Sequence, residues 1–302
     1  MRKMKTGVIG LGNMGGGVAR NFTKARAPLM VWDVAPARLK PFAGMTGVEV
    51  ARPGEMARAC DLIVFVVPSS KEVAQCLEGR EGILANGRGG LVMYDFTTSD
   101  PAKTIQLGKK AAGKGMFLLD AGMSGGASGA EAGTLTLMIG GDKRAFERTR
   151  KRLGPIASKL FYLGGPGAGH TLKLVHNLVC HSIFMATCEG GRIAERAGLK
   201  LQDVIDVFNA ANARSYASEV RFPRHILSKK WDAKSRVYNL LKDLTMAVRM
   251  GRKLGADTSF GETTRRFLQK AASRGMLEKD YALLYRDFEK IRRTRPRPIR
   301  AV

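Results

Sequence analysis

A lysine and an asparagine stand four residues apart in Gly167-Ala168-Gly169-His170-Thr171-Leu172-Lys173-Leu174-Val175-His176-Asn177. The pattern reads as the start of a long helix, where a four-residue step puts Lys173 and Asn177 on one face, one turn apart. There the lysine can exchange a proton with a substrate oxygen while the asparagine amide holds the lysine or the substrate in place. Taken alone, such a pair is most often a solvated helix face. The elements upstream decide between the two readings.

The first half alternates strands and helices. An apolar strand, Val8 to Leu11, runs into Gly10-Leu11-Gly12-Asn13-Met14-Gly15, a helical stretch from Gly16 to Ala25 follows, and a second strand, Leu29 to Trp32, closes on Asp33. Strand, glycine turn, helix, strand and acid in that order make a dinucleotide-binding unit. Gly10 permits the tight turn, Gly12 lets the backbone approach a pyrophosphate, Gly15 allows close helix–strand packing, and the helix N-terminus faces the phosphates. Asp33 is suited to accept hydrogen bonds from the adenosine ribose and to repel a 2′-phosphate. This favours NAD over NADP, although Arg38 nearby could hold a 2′-phosphate and Asp33 could be a plain turn acid.

Further units follow: strand Asp61 to Val67, helix Lys71 to Leu77, strand Leu91 to Asp95, helix Pro101 to Gly113 and strand Met116 to Asp120. Regular alternation implies a parallel, doubly wound sheet. Val67-Pro68 and Thr98 fall in loops at its carboxyl edge, where ligands bind in open α/β sheets, while Ser70 and Ser99 or Asp100 read as helix N-caps. Ser124, followed by Gly125 and Gly126, offers a hydroxyl and adjacent backbone N–H groups as a cradle for a carboxylate; a glycine-rich turn between strands is the plainer alternative. From Ala168 the pattern is helical, over Thr171 to Ala197, Leu201 to Ala211, Leu240 to Leu254 and Gly261 to Arg274. The expected organisation is a dinucleotide-binding domain over 1–165, an all-helical substrate and oligomerisation domain over 166–291, and a basic, disordered tail over 292–302.

The chain has 302 residues and a net charge of +25, with 51 Lys and Arg against 26 Asp and Glu. Such an excess draws anionic cofactors and carboxylate substrates, and polyanions non-specifically, but carries no information about fold. Cys60, Cys76, Cys180 and Cys188 show no metal-binding spacing, no secretory leader pattern is visible, and the dense apolar run Leu62 to Val67 is far too short to span a bilayer. A cytoplasmic protein without a membrane segment is the expectation.

Four blocks together resemble the β-hydroxyacid dehydrogenase family typified by 3-hydroxyisobutyrate dehydrogenase: Gly10-Leu11-Gly12-Asn13-Met14-Gly15, Ser124-Gly125-Gly126, Gly169-x-x-x-Lys173-x-x-x-Asn177 and Lys242-Asp243-Leu244. The resemblance covers nearly the whole chain. It implies an N-terminal Rossmann-type doubly wound sheet, a long interdomain helix, an all-helical C-terminal domain, and homodimers or homotetramers. It further implies that Lys173 is the catalytic lysine, Asn177 positions the substrate, Ser124, Gly125 and Gly126 bind its carboxylate, and Lys242 closes the site at the cofactor. Lys173 would then protonate the developing alkoxide in reduction and accept the hydroxyl proton in oxidation. That role asks for a lysine nearer neutrality than the ordinary value of about 10.4.

Two departures from the family pattern stand out. Gly122-Met123 replaces its usual Pro-Val before Ser124, and His176 precedes Asn177, where it could tune the lysine but packing or solvent exposure is the expected role; the same holds for His170 and His181. Asn212 to Tyr216 resembles the family's variable substrate-selecting segment, in which Arg214 could pair with a second substrate anion or be an ordinary surface arginine. The implied activity is hydride transfer between NAD(H) and a small β-hydroxyacid or its semialdehyde, of the 3-hydroxyisobutyrate or tartronate semialdehyde type. The alternatives are an NADP-dependent relative in the 6-phosphogluconate dehydrogenase superfamily with an anionic substrate, and a nucleic-acid-binding pseudo-enzyme using the basic surface. The last is disfavoured beyond weak charge-driven binding, because a pseudo-enzyme has little reason to keep Lys173, Asn177, Ser124 and Lys242 together.

Overall fold

A computed structural model of the chain describes residues 4–292. Eight strands form one sheet: β1 (Thr6–Ile9), β2 (Leu29–Trp32), β3 (Val48–Val50), β4 (Leu62–Phe65), β5 (Val92–Asp95), β6 (Phe117–Ser124), β7 (Leu135–Gly140) and β8 (Ala157–Tyr162). Their spatial order is β3-β2-β1-β4-β5-β6-β7-β8, and every neighbouring pair is parallel except β6 and β7. The central strands are short and buried throughout, as expected of strands covered on both faces. Alternate residues feed two cores, Val8, Val31, Val64 and Tyr94 on one face and Ile9, Met30, Ile63 and Phe65 on the other.

The helices α1 (Gly15–Lys24), α2 (Ser70–Leu77) and α3 (Pro101–Ala112) occupy the crossovers read from the sequence. Ser69, not Ser70, caps α2 by accepting from the Lys71 N–H, and Asp100 caps α3 from the Ala102 N–H. The glycine-rich stretch departs from the expected turn. Strand β6 runs on past Asp120 to Ser124, because Asp120 to Ser124 pair with Gly140 to Thr136 of the antiparallel β7. The chain turns only at Gly125 and Gly126, whose φ values of 128° and 63° suit glycine, and then enters α4 (Gly126–Ala132).

The chain divides after Lys173 into two compact units. Helix α5 (Ala168–Arg196) begins in the first and continues through the second, which also holds α6 (Leu201–Ala210), α7 (Ala217–Leu227), α8 (Val237–Lys253) and α9 (Ser259–Ala271). Its core joins Phe184, Cys188, Phe222, Leu240, Leu244, Leu268 and Tyr285. Helix α7 was not among the expected helices; it is wound with the wider π-type turn, which tolerates Pro223 inside it. Arg292 ends a short helix, and the rest of the expected basic tail, 293–302, lies outside the described residues. No helix among the described residues is long and apolar enough to cross a membrane.

Candidate active site

The glycine turn is built from the backbone. Gly10 has φ 92°, and a Cβ there would stand 2.3 Å from the Val66 carbonyl oxygen; one on Gly15 would stand 1.8 Å from that of Gly10. Both positions exclude any side chain. At Gly12, in contrast, a Cβ would meet nothing closer than the Arg38 guanidinium at 3.8 Å. Space beside bare backbone at the head of α1, whose first turn carries no acid, is what a dinucleotide pyrophosphate requires. The residues present therefore fit the cofactor expected from the motif.

Asp33 follows β2 and is buried. Its Oδ2 accepts the Leu11 N–H at 2.7 Å and its Oδ1 the Ala35 N–H at 2.8 Å, so the carboxylate holds the glycine turn in shape. Arg38, half exposed, lies 3.4 Å from Oδ2. Val67 packs beside Gly10, and Pro68 is exposed in the loop after β4. Thr98 lies in the loop after β5, just beyond a turn in which Asp95 Oδ1 accepts the Thr97 N–H.

Strand β6 receives the first turn of α5 in direct backbone contact. Asp120 caps the helix, its two oxygens accepting the Gly167 and His170 N–H groups at 2.7 and 2.8 Å. His170 is fully buried, its Nε2 3.0 Å from the Asp95 carbonyl and its Nδ1 2.7 Å from the Thr104 hydroxyl. A carbonyl can only accept, so Nε2 carries a hydrogen. Burial pushes the Asp95 carboxyl above the usual range, the nearby Asp120 charge adding to this and His170 opposing it. A Cβ on Gly122 would lie 2.5 Å from Lys173 Cβ, so the buried lysine's stem rests on bare strand. The departure at Gly122 thus has a physical partner in Lys173. Ser124 ends the same strand partly exposed, and Gly125 and Gly126 are exposed beyond it.

In the second unit, buried Asn177 donates from Nδ2 to Asp243 Oδ2 at 2.7 Å, and its Oδ1 lies 3.0 Å from His176 Nδ1. The partners fix the amide's orientation, with the oxygen toward the imidazole N–H and one of two amide hydrogens on the carboxylate. Lys242 Nζ is 3.4 Å from Asp243 Oδ1. The sequence reading missed two functions here: Asp243 as the residue that orients Asn177, and His176 as its second partner. The only available signal was an acid within the Lys242-Asp243-Leu244 block of a strongly basic chain. Arg214 is exposed and lies 3.3 Å from Glu219.

Residues 5–164 match the model described as the NAD binding domain of 6-phosphogluconate dehydrogenase, and residues 167–287 that described as NAD-binding of NADP-dependent 3-hydroxyisobutyrate dehydrogenase. The chain belongs to the β-hydroxyacid dehydrogenase family. Members are NAD(P)-dependent oxidoreductases acting on the hydroxyl group of hydroxyacids. The chain is 30% identical to 2-(hydroxymethyl)glutarate dehydrogenase of Eubacterium barkeri over 83% of its own length and 84% of the relative's. It is 32% identical to L-threonate dehydrogenase of Cupriavidus necator over 80% and 82%. Among solved structures it resembles Mycobacterium tuberculosis 3-hydroxyisobutyrate dehydrogenase with L-serine, with TM-score 0.84 and 26% identity over 94% of this chain and 99% of that one.

Proposed function

We propose that this family member interconverts a small β-hydroxyacid and its semialdehyde, with Lys173 as general acid and base. The observation that carries the reading is the seat of Lys173: a buried lysine in a helix whose first turn is clamped to β6 through Asp120 and Gly122. Such a lysine is held for chemistry and not for solvation. Asn177, fixed by Asp243 and His176, keeps a second amide hydrogen with which to orient the substrate oxygen. Ser124, Gly125 and Gly126 receive the carboxylate, and Lys242 closes the site beside the cofactor.

Gly10 to Gly15 and Asp33, with Val67, Pro68 and Thr98, would hold the cofactor, which when bound would supply or accept the hydride. Lys173 gives a proton to the substrate oxygen in reduction and takes one in oxidation. The buried negative charge of Asp33 favours NAD, while Arg38 beside Gly12 supports some use of NADP. We further read the protein as a cytoplasmic homo-oligomer. Its four cysteines are free thiols, and α5 exposes the apolar row Val175, Val179 and Ile183. The decisive experiment is Lys173→Ala, which lowers turnover on the order of 10³-fold while NADH binding, followed by fluorescence, stays within about twofold. Normal turnover in that variant would sink the assignment.

A further inference from the structure

One cation seated among the aromatic rings of the helical unit has no carboxylate partner among the described residues. Arg221, partly buried on α7, lies over the rings of Tyr281 at 5.0 Å, Phe184 at 5.3 Å and Tyr216 at 5.8 Å. Its Nη2 donates to Cys180 Sγ at 3.2 Å, a weak acceptor, and its Nη1 is buried with no hydrogen-bond partner. Among the described residues Arg221 makes no salt bridge, in a chain where Arg20, Arg265 and Arg286 each find a carboxylate. Aromatic rings orient a guanidinium but leave its charge and its in-plane donors unanswered.

The position of this unanswered cation matters. Cys180 lies three residues beyond Asn177 on α5, hence on the same face and about 4.5 Å further along the axis. Arg221 therefore stands next along the helix from the amide proposed to orient the substrate oxygen. Phe184 extends the same face by one more turn, and Tyr216, itself more than half exposed, covers the guanidinium from outside.

Resting on the proposed hydroxyacid reaction, we infer that Arg221 is a specificity residue that binds a second anionic group at the far end of the substrate. The preferred substrates are then β-hydroxyacids with a distal carboxylate, not monoacids. A planar guanidinium with an uncommitted donor suits such a carboxylate. The Eubacterium barkeri relative is named for a substrate of this class. Arg214, seven residues earlier, already has Glu219 as its partner.

The test compares 2-(hydroxymethyl)glutarate with 3-hydroxyisobutyrate in wild type, Arg221→Met and Arg221→Lys, and titrates glutarate into the NADH-loaded protein by calorimetry. Wild type favours the diacid in kcat/KM; Arg221→Met lowers the diacid-to-monoacid ratio about 100-fold, mainly through KM, and abolishes glutarate binding. Arg221→Lys keeps part of the ratio because it keeps the charge. Equal losses for both acids, with the ratio intact, would show a merely structural pillar and overturn the inference. Should Arg221→Met not fold, the ratio in Arg221→Lys and Arg221→Gln decides: a fall larger in Gln than in Lys supports the assignment, and an unchanged ratio in both refutes it. If wild type oxidises no hydroxyacid, the reaction assignment has failed and glutarate alone judges Arg221. Binding lost in Arg221→Met then sustains the anion site, and absent or equal binding removes it.

Discussion

The residues proposed to serve the reaction are made of different material in the two units. In the first unit recognition is built from backbone: Gly10, Gly12 and Gly15 at the cofactor turn, and Gly122 under Lys173. In the second it is built from side chains that orient one another: Asp243 and His176 on Asn177, and aromatic rings around Arg221. Backbone recognition tolerates almost no change at a few positions. Side-chain recognition tolerates substitution but redirects what is bound.

Gly15→Ala probes the first kind most harshly. The new methyl would fall 1.8 Å from the Gly10 carbonyl oxygen, so the turn must open, and a loss of about 3 kcal/mol or more in stability is expected. Gly12→Ala separates binding from folding. With open space around it, its stability measured by urea unfolding stays within about 0.5 kcal/mol of wild type, yet NADH affinity falls by about tenfold or more as the methyl meets the pyrophosphate. If both variants bind NADH normally, the backbone account of the turn is wrong.

On the side-chain end, Asp243→Ala should lower kcat by about 30-fold, with NADH affinity nearly unchanged, because Asn177 loses its orienting partner. A change confined to stability would make Asp243 structural only. Gly122→Ala lies between the two kinds: its methyl must displace the Lys173 stem, which predicts roughly a tenfold loss in kcat. Unaltered turnover would detach Gly122 from the lysine.

The smallest effect concerns pH. The folded state raises the Asp95 carboxyl above its unfolded value, through burial first, and so binds that proton more tightly. Its stability is whole below about pH 4, near the unfolded value, and declines as pH rises through the folded one. Asp95→Asn keeps the acceptor for the Thr97 N–H without that decline. Its stability relative to wild type should climb as pH rises above about 4, and parallel curves would refute the argument.

The same contrast explains what could be read from the sequence. Glycines forced by backbone contact sit at fixed spacings, so Gly10 to Gly15 and the order of strands and helices were legible. Lys173 and Asn177 were legible because a helix turns sequence spacing into geometry. The bond from Asn177 to Asp243 spans 66 residues and leaves no local pattern. Arg221 was hidden further by Pro223, which masks the helix that carries it. Nor did the spacing reveal that Ser124 ends a strand, since the pairing that extends β6 depends on where β7 returns.

Helix α5 also governs how the molecule can be dissected. The division between units falls inside it, after Lys173, and not in a flexible linker. Cutting there would leave Ala168 to Lys173 as six residues of helix, under two turns, and so short a segment frays in water. Asp120 and Gly122 would still seat the start of that turn, but Lys173 would stand at a chain end, severed from Asn177. Expressed separately, the first unit should still take up cofactor, but mixing it with the second should not restore turnover, because an unbroken helix is what sets Lys173 and Asn177 in phase.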